Sequence, residues 1–140
     1  MALELSAAGE VIFLVGRALF GVVLAFMGLN HFMDTESMAG YAEAKGVPAA
    51  GLMVPFTGGM LLVGGLLVAV GAYPIVGAGA LAVFLLVTTP VMHDFWTVDD
   101  PQERQSEMIN FLKNVGLFGT ALALLALGAE AWPYAVGVGL

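Results

Sequence analysis

Long apolar stretches alternate with short polar ones four times along this chain. Residues 11–30 are apolar around a single Arg17, residues 50–71 and 73–92 carry no charge, and residues 109–128 hold Lys113 near their start. A transmembrane helix needs about 20 mostly apolar residues to cross a hydrocarbon core about 30 Å thick, and each stretch meets that length. The pattern predicts an all-α fold, an integral membrane four-helix bundle running up-down-up-down. Its spans fall at about residues 11–32, 50–71, 73–92 and 108–128, within a single transmembrane domain over residues 1–140.

The connections refine the arrangement. Only Gly71-Ala72-Tyr73-Pro74 separates the second and third spans, which forces an antiparallel hairpin with Pro74 in the first turn of a helix, where its missing N–H costs nothing. The segment 34–48 reads as a short interfacial helix. Asp34 or Thr35 can cap its start, Gly46 can close it, Pro48 follows, and Met38, Tyr41 and Ala42 share one side. Asp100-Pro101-Gln102-Glu103 is a capping box ahead of the fourth span, whose first two turns should emerge from the membrane. Gly21-x-x-x-Ala25 and Gly65-x-x-x-Ala69 carry small residues at the spacing that lets helix backbones approach, more in keeping with packing inside the chain than with dimerisation.

Composition agrees with the membrane reading: 60% of the 140 residues are hydrophobic and 11% charged, and mean hydropathy is +0.96. The first ten residues hold Glu4 and Glu10 without Lys or Arg, and the apolar run that follows is too long for a signal-peptide core, so the first span is expected to stay. The location implied is the cell membrane, as a multi-pass protein. A net charge of −7 argues against nucleic acid as a partner. Acidic, lysine-poor loops suit a salt-accumulating microbe such as a halophilic archaeon, since salt screens their repulsion; they also suit an ordinary acidic membrane protein. No cysteine is present, which excludes disulfides, thiolate chemistry and cysteine-ligated clusters.

Candidate chemistry gathers where the first and third spans end, at Asn30-His31-Phe32-Met33-Asp34 and Met92-His93-Asp94-Phe95-Trp96. Up-down-up-down topology puts both clusters on one membrane face. Asn110, Lys113 and Asn114 of the fourth span share one helix side, and Thr89 stands one turn below His93. These residues, with His31, His93, Asp94 and Trp96, can line a polar pocket; interface solvation accounts for the same residues without a ligand. Two histidines from neighbouring helices also admit haem or metal ligation, but neither has a second histidine one turn away, so haem and iron–sulfur centres are not expected. Tyr73, Trp132 and Tyr134 mark the opposite interface.

Arg17 is the costliest residue, about 10 Å inside the first span counting from Glu10. It shares an inward stripe with Gly21, Leu24, Gly28 and His31. It can anchor the bundle by pairing with Glu10 or Glu130 or reaching the headgroups, or it can hold an anionic or carbonyl ligand group.

Gly16-Arg17, His31-Phe32, Lys45-Gly46-Val47-Pro48, Gly64-Gly65-Leu66-Leu67, His93-Asp94-Phe95-Trp96 and Phe111-Leu112-Lys113-Asn114 together resemble the DoxX family of small four-helix membrane proteins, over about residues 12–127. That resemblance implies a four-helix integral membrane protein, and some relatives are linked to membrane oxidoreduction; it fixes architecture better than activity. The namesake is similar to a subunit of an archaeal thiosulfate:quinone oxidoreductase, other members associate with redox-stress proteins, and more distant ones are Surfeit-locus cargo receptors. Where many members carry a glutamate in the second span, this chain has Met60-Leu61-Leu62-Val63 and lacks that carboxylate. The reading that follows is an accessory subunit of a membrane redox assembly, or a homo-oligomer, rather than a stand-alone catalyst. It would bind a quinone or other amphipathic ligand through His31, His93, Asp94, Trp96, Asn110, Lys113, Asn114 and Arg17. The alternative is a membrane receptor or chaperone-like interaction protein without a redox role.

Overall fold

The computed structural model describes residues 4–139 and is helical throughout its ordered elements: α1 (Ala7–Met33), α2 (Thr35–Ala44), α3 (Ala50–Val70), α4 (Pro74–Met92), a single 3₁₀ turn (Phe95–Thr97) and α5 (Pro101–Ala126). Four of these, α1, α3, α4 with its 3₁₀ extension, and α5, are long and apolar enough to cross a membrane. The expected four-span bundle is thus the observed one, with α2 as the short helix between the first two spans.

Several helix ends carry the local chemistry that the sequence announces, but α2 starts without the expected cap: the Asp34 side chain makes no capping bond, and the Thr35 hydroxyl donates back to the His31 carbonyl. The Ser6 hydroxyl accepts from the Gly9 amide at 3.1 Å to start α1, and Asp100 accepts from the Glu103 amide at 3.0 Å to start α5. Pro74 opens α4. Gly71 closes α3 with a left-handed φ of 72°, a conformation that needs no Cβ, and lets the Leu67 carbonyl accept from both Gly71 and Ala72. Gly46, at φ 84°, ends α2 in the same way, as expected.

The spans pack in antiparallel pairs: α1 on α3, α3 on α4, α4 on α5. Lipid tails are as apolar as leucine, so helix association here rests on close van der Waals packing. The closest pair is α1/α3. A Cβ at Gly21 would strike the Gly65 carbonyl and lie 2.8 Å from the Ala69 nitrogen; a Cβ at Gly65 would strike the Gly21 carbonyl and lie 2.7 Å from the Ala25 nitrogen. The two small-residue motifs therefore face each other within one chain. Leu24, Leu61, Val68, Leu81, Leu85, Ala121 and Leu124 fill the centre, while the outer faces of all four spans remain apolar and exposed, as contact with lipid requires.

The inward stripe on α1 is as expected, with Arg17, Gly21, Leu24 and Gly28 all buried. Helix α2 lies against the start of α3 through Met38, Ala39 and Ala42, which meet Ala50, Val54 and Met92. Tyr41 is instead exposed, with its hydroxyl 3.4 Å from the Met92 carbonyl.

Candidate functional site

Arg17 meets its desolvation cost without an acid. Only 2% exposed, it donates from Nη1 to the Pro133 carbonyl at 2.6 Å, from Nη2 to the Tyr134 carbonyl at 2.7 Å and from Nε to Ala69 at 3.4 Å. Its guanidinium also lies 5.7 Å from the ring centres of Phe13 and Trp132. Pairing with Glu10 or Glu130 does not occur; main-chain carbonyls of the segment after α5 take that role. Trp132 is correspondingly half-buried against Phe13 rather than standing free at the interface. Arg17 sits at the end of the bundle away from both histidines.

The histidines share a membrane side but not a pocket. Registers along α1/α3 and α3/α4 place His31 against Gly58 and 6.1 Å from the Phe84 ring. Phe84 precedes His93 by nine residues (93 − 84), roughly 13 Å along α4, so His31 is the deeper of the two. Its Nδ1 lies 2.9 Å from the Met27 carbonyl, which fixes the proton on that nitrogen.

His93 has a partner that sequence reasoning overlooked. Its Nδ1 lies 2.8 Å from Oε2 of Glu107 on α5. A carboxylate only accepts, so Nδ1 carries a proton, and in the neutral ring Nε2 bears the lone pair. The signal was present: Glu107 precedes Asn114 by seven residues, on nearly the same face of α5.

Asp94 binds Lys45 Nζ at 2.5 Å and the Thr97 hydroxyl at 2.9 Å, tying the end of α2 to the end of α4. The Lys45 bond, with that from Thr97, holds the Asp94 carboxyl below the ordinary carboxylate range, and the same bond to Asp94 raises Lys45. The Tyr41 phenol is pushed up, first by burial and then by the negative charge of Glu107. Trp96 is half-exposed and meets Phe95 and Phe111 edge-on, at 5.3 and 5.7 Å between ring centres.

Of the polar α5 stripe, Asn114 turns inward, Asn110 is half-buried and Lys113 is exposed. Asn114 and Thr89 both lie on the wall of a cavity of about 190 Å³ in the seam between α4 and α5, lined also by Leu85, Leu86, Pro90, Phe111, Val115 and Phe118. Both polar residues are more than nine-tenths buried, and neither Thr89 Oγ1 nor Asn114 Oδ1 has a hydrogen-bond partner. Pro90 also has no N–H to give the Leu86 carbonyl. Leu86, Pro90 and Val115 are exposed on the lipid-facing rim. Of the residues expected at the site, only Asn114 lines this cavity directly. Trp96 joins through Phe111, and His93 stands one turn of α4 beyond Thr89.

The DoxX family model matches residues 12–94. This chain belongs to the DoxX family. The match runs from Ile12, inside α1, through the end of α4 to Asp94, so α5 and its Phe111-Leu112-Lys113-Asn114 lie beyond it. No curated protein and no solved structure matches the chain. Family and spans make it a multi-pass membrane protein in contact with the lipid bilayer.

Proposed function

We propose that this DoxX-family protein binds the ring of a lipid-soluble quinone, or of a similar amphipathic compound, in the α4/α5 cavity and serves a larger membrane redox assembly as an accessory subunit. The observation that carries this reading is the pair of buried, unpartnered groups, Thr89 Oγ1 and Asn114 Oδ1, on the wall of an otherwise apolar cavity. A buried polar atom without a partner costs about 1–3 kcal/mol; a ring carbonyl accepting from the Thr89 hydroxyl, or a ring hydroxyl donating to Asn114 Oδ1, would relieve that cost. An apolar cavity of about 150 Å³ accepts benzene, so 190 Å³ suits one substituted ring. The lipid-facing rim gives such a compound entry from the bilayer, and its isoprenoid tail would stay among lipid chains.

Trp96, which meets Phe111 edge-on at the cavity wall, provides the readout. In a Trp132→Phe background, a short-tailed naphthoquinone should quench Trp96 fluorescence saturably, and Asn114→Leu should weaken binding about tenfold, the loss of one well-placed hydrogen bond. Quenching that is linear in quinone and indifferent to Asn114→Leu would refute the reading.

A further inference from the structure

We infer that His93 and Glu107 form a general-base dyad at the headgroup end of the α4/α5 cavity, and that the cavity's ligand carries an ionisable ring hydroxyl, as phenols, quinols and hydroxyquinones do. The inference rests on the cavity being a ligand site and specifies what that ligand must bring to it.

Placement is the first support. The cavity lies in the α4/α5 seam, and the His93–Glu107 bond spans the same seam just beyond it. The His93 amide bonds the Thr89 carbonyl at 3.0 Å, one turn away. On α5, Glu107 stands four residues before Phe111 and seven before Asn114, both cavity-lining. The dyad is also partly shielded, its side chains 24% and 17% exposed, while its outer side still reaches the polar face.

Chemistry is the second. With Nδ1–H held by Glu107, the imidazole presents Nε2 as a base, and the carboxylate stabilises the imidazolium that forms when Nε2 takes a proton. The cavity wall meanwhile offers two side-chain oxygens without partners, Thr89 Oγ1 and Asn114 Oδ1. A ligand with only carbonyl oxygens has no proton to give the base; a ring hydroxyl has one.

The step is a proton transfer and nothing more. The ligand O–H bond breaks, an N–H bond forms on His93 Nε2, and the electron pair stays on the ligand oxygen. The Thr89 hydroxyl and the Asn114 amide N–H then turn their donors to the oxyanion. The imidazolium later releases the proton to water on the histidine side. Glu107 is a positioning residue: it holds the ring and its charge without touching the ligand.

Other charges bear on this pair. Tyr41 and Lys45 approach from α2, Asp94 follows His93 in the chain, and Glu103 stands one turn before Glu107 on α5. The Lys45–Asp94 pair is internally neutral, so Glu103 and Glu107 carry the net local charge.

4-Nitrophenol tests the inference, because its phenolate is yellow, its phenol is not, and it titrates near neutrality. Bound to the full-length protein in detergent, it should ionise roughly one pH unit lower than in protein-free micelles, the effect expected of an adjacent base. His93→Gln should abolish that shift, Glu107→Gln should reduce it, and Glu36→Gln on the outer side of α2 should keep it. Binding that depends on Asn114 but titrates identically in wild type and His93→Gln overturns the dyad and leaves the cavity reading standing. Binding that is indifferent to Asn114→Leu overturns the cavity reading itself. If His93→Gln fails to bind the probe even in acid, His93 is a packing residue and the dyad is again refuted.

Discussion

Arg17 Nη1 and the Pro133 carbonyl lie 2.6 Å apart across 116 positions of sequence, joining the first span to the segment that follows the last. The charge buried in α1 thereby becomes the clasp of the C-terminal segment, together with main-chain bonds from Val136 to Val70 and from Tyr73 to Val138.

Arg17→Met should free that segment while the spans stay assembled. Two carbonyls lose a charged donor, each such bond worth about 1.5–3 kcal/mol. Carboxypeptidase should then trim the C-terminal residues faster than in wild type, with melting lowered by a few degrees. Arg17→Lys should recover little, because one ammonium cannot match the fork that spans Pro133 and Tyr134. Equal trimming of wild type and Arg17→Met would contradict the clasp.

Gly21 and Gly16 separate packing from helix propensity. Alanine at Gly21 would strike the Gly65 carbonyl, whereas a Cβ at Gly16 meets nothing within 4 Å. Gly21→Ala should lower the melting temperature, and Gly16→Ala should leave it equal or raise it, since alanine favours a helix by about 1 kcal/mol over glycine. The same response from both would mean that α1/α3 contact is looser than described.

Thr89→Val should exchange binding for stability. Valine keeps the shape and removes a buried hydroxyl that has no partner, so the ligand-free protein should gain roughly 1 kcal/mol. Naphthoquinone affinity should fall at the same time. A less stable valine variant would show that the hydroxyl is already satisfied in the empty protein.

The Lys45–Asp94 pair sets a pH window. Asp94 is lowered from its ordinary 3.8, so its contribution is present above that value and fades as pH falls through the lower folded-state pKa. Lys45 is raised from 10.5, so its contribution is complete below that value and fades as pH rises through the higher folded-state pKa. The pair is therefore at full strength between these limits. Hydrogen exchange in α2 should be faster in Lys45→Met than in wild type near neutrality, and the two should converge in strong acid. A difference that persists in strong acid would place the effect elsewhere.

Fold class, span positions, both helix starts at Asp100 and Pro74, and the inward stripe from Arg17 to Gly28 were legible in the sequence. Each rests on relations within a few turns: hydrocarbon thickness sets span length, and caps and helical period act between near neighbours. Distant partners left no such trace. Arg17 is satisfied by carbonyls of Pro133 and Tyr134, and any residue carries a carbonyl, so side-chain chemistry could not announce them. His31 and His93 end parallel spans yet lie at different depths, because α1 stops short of the level α4 reaches and α2 packs over the start of α3. The facing of Thr89 and Asn114, and the bond of His93 to Glu107, depend on the rotation and register of α5 against α4, which close packing between the helices determines.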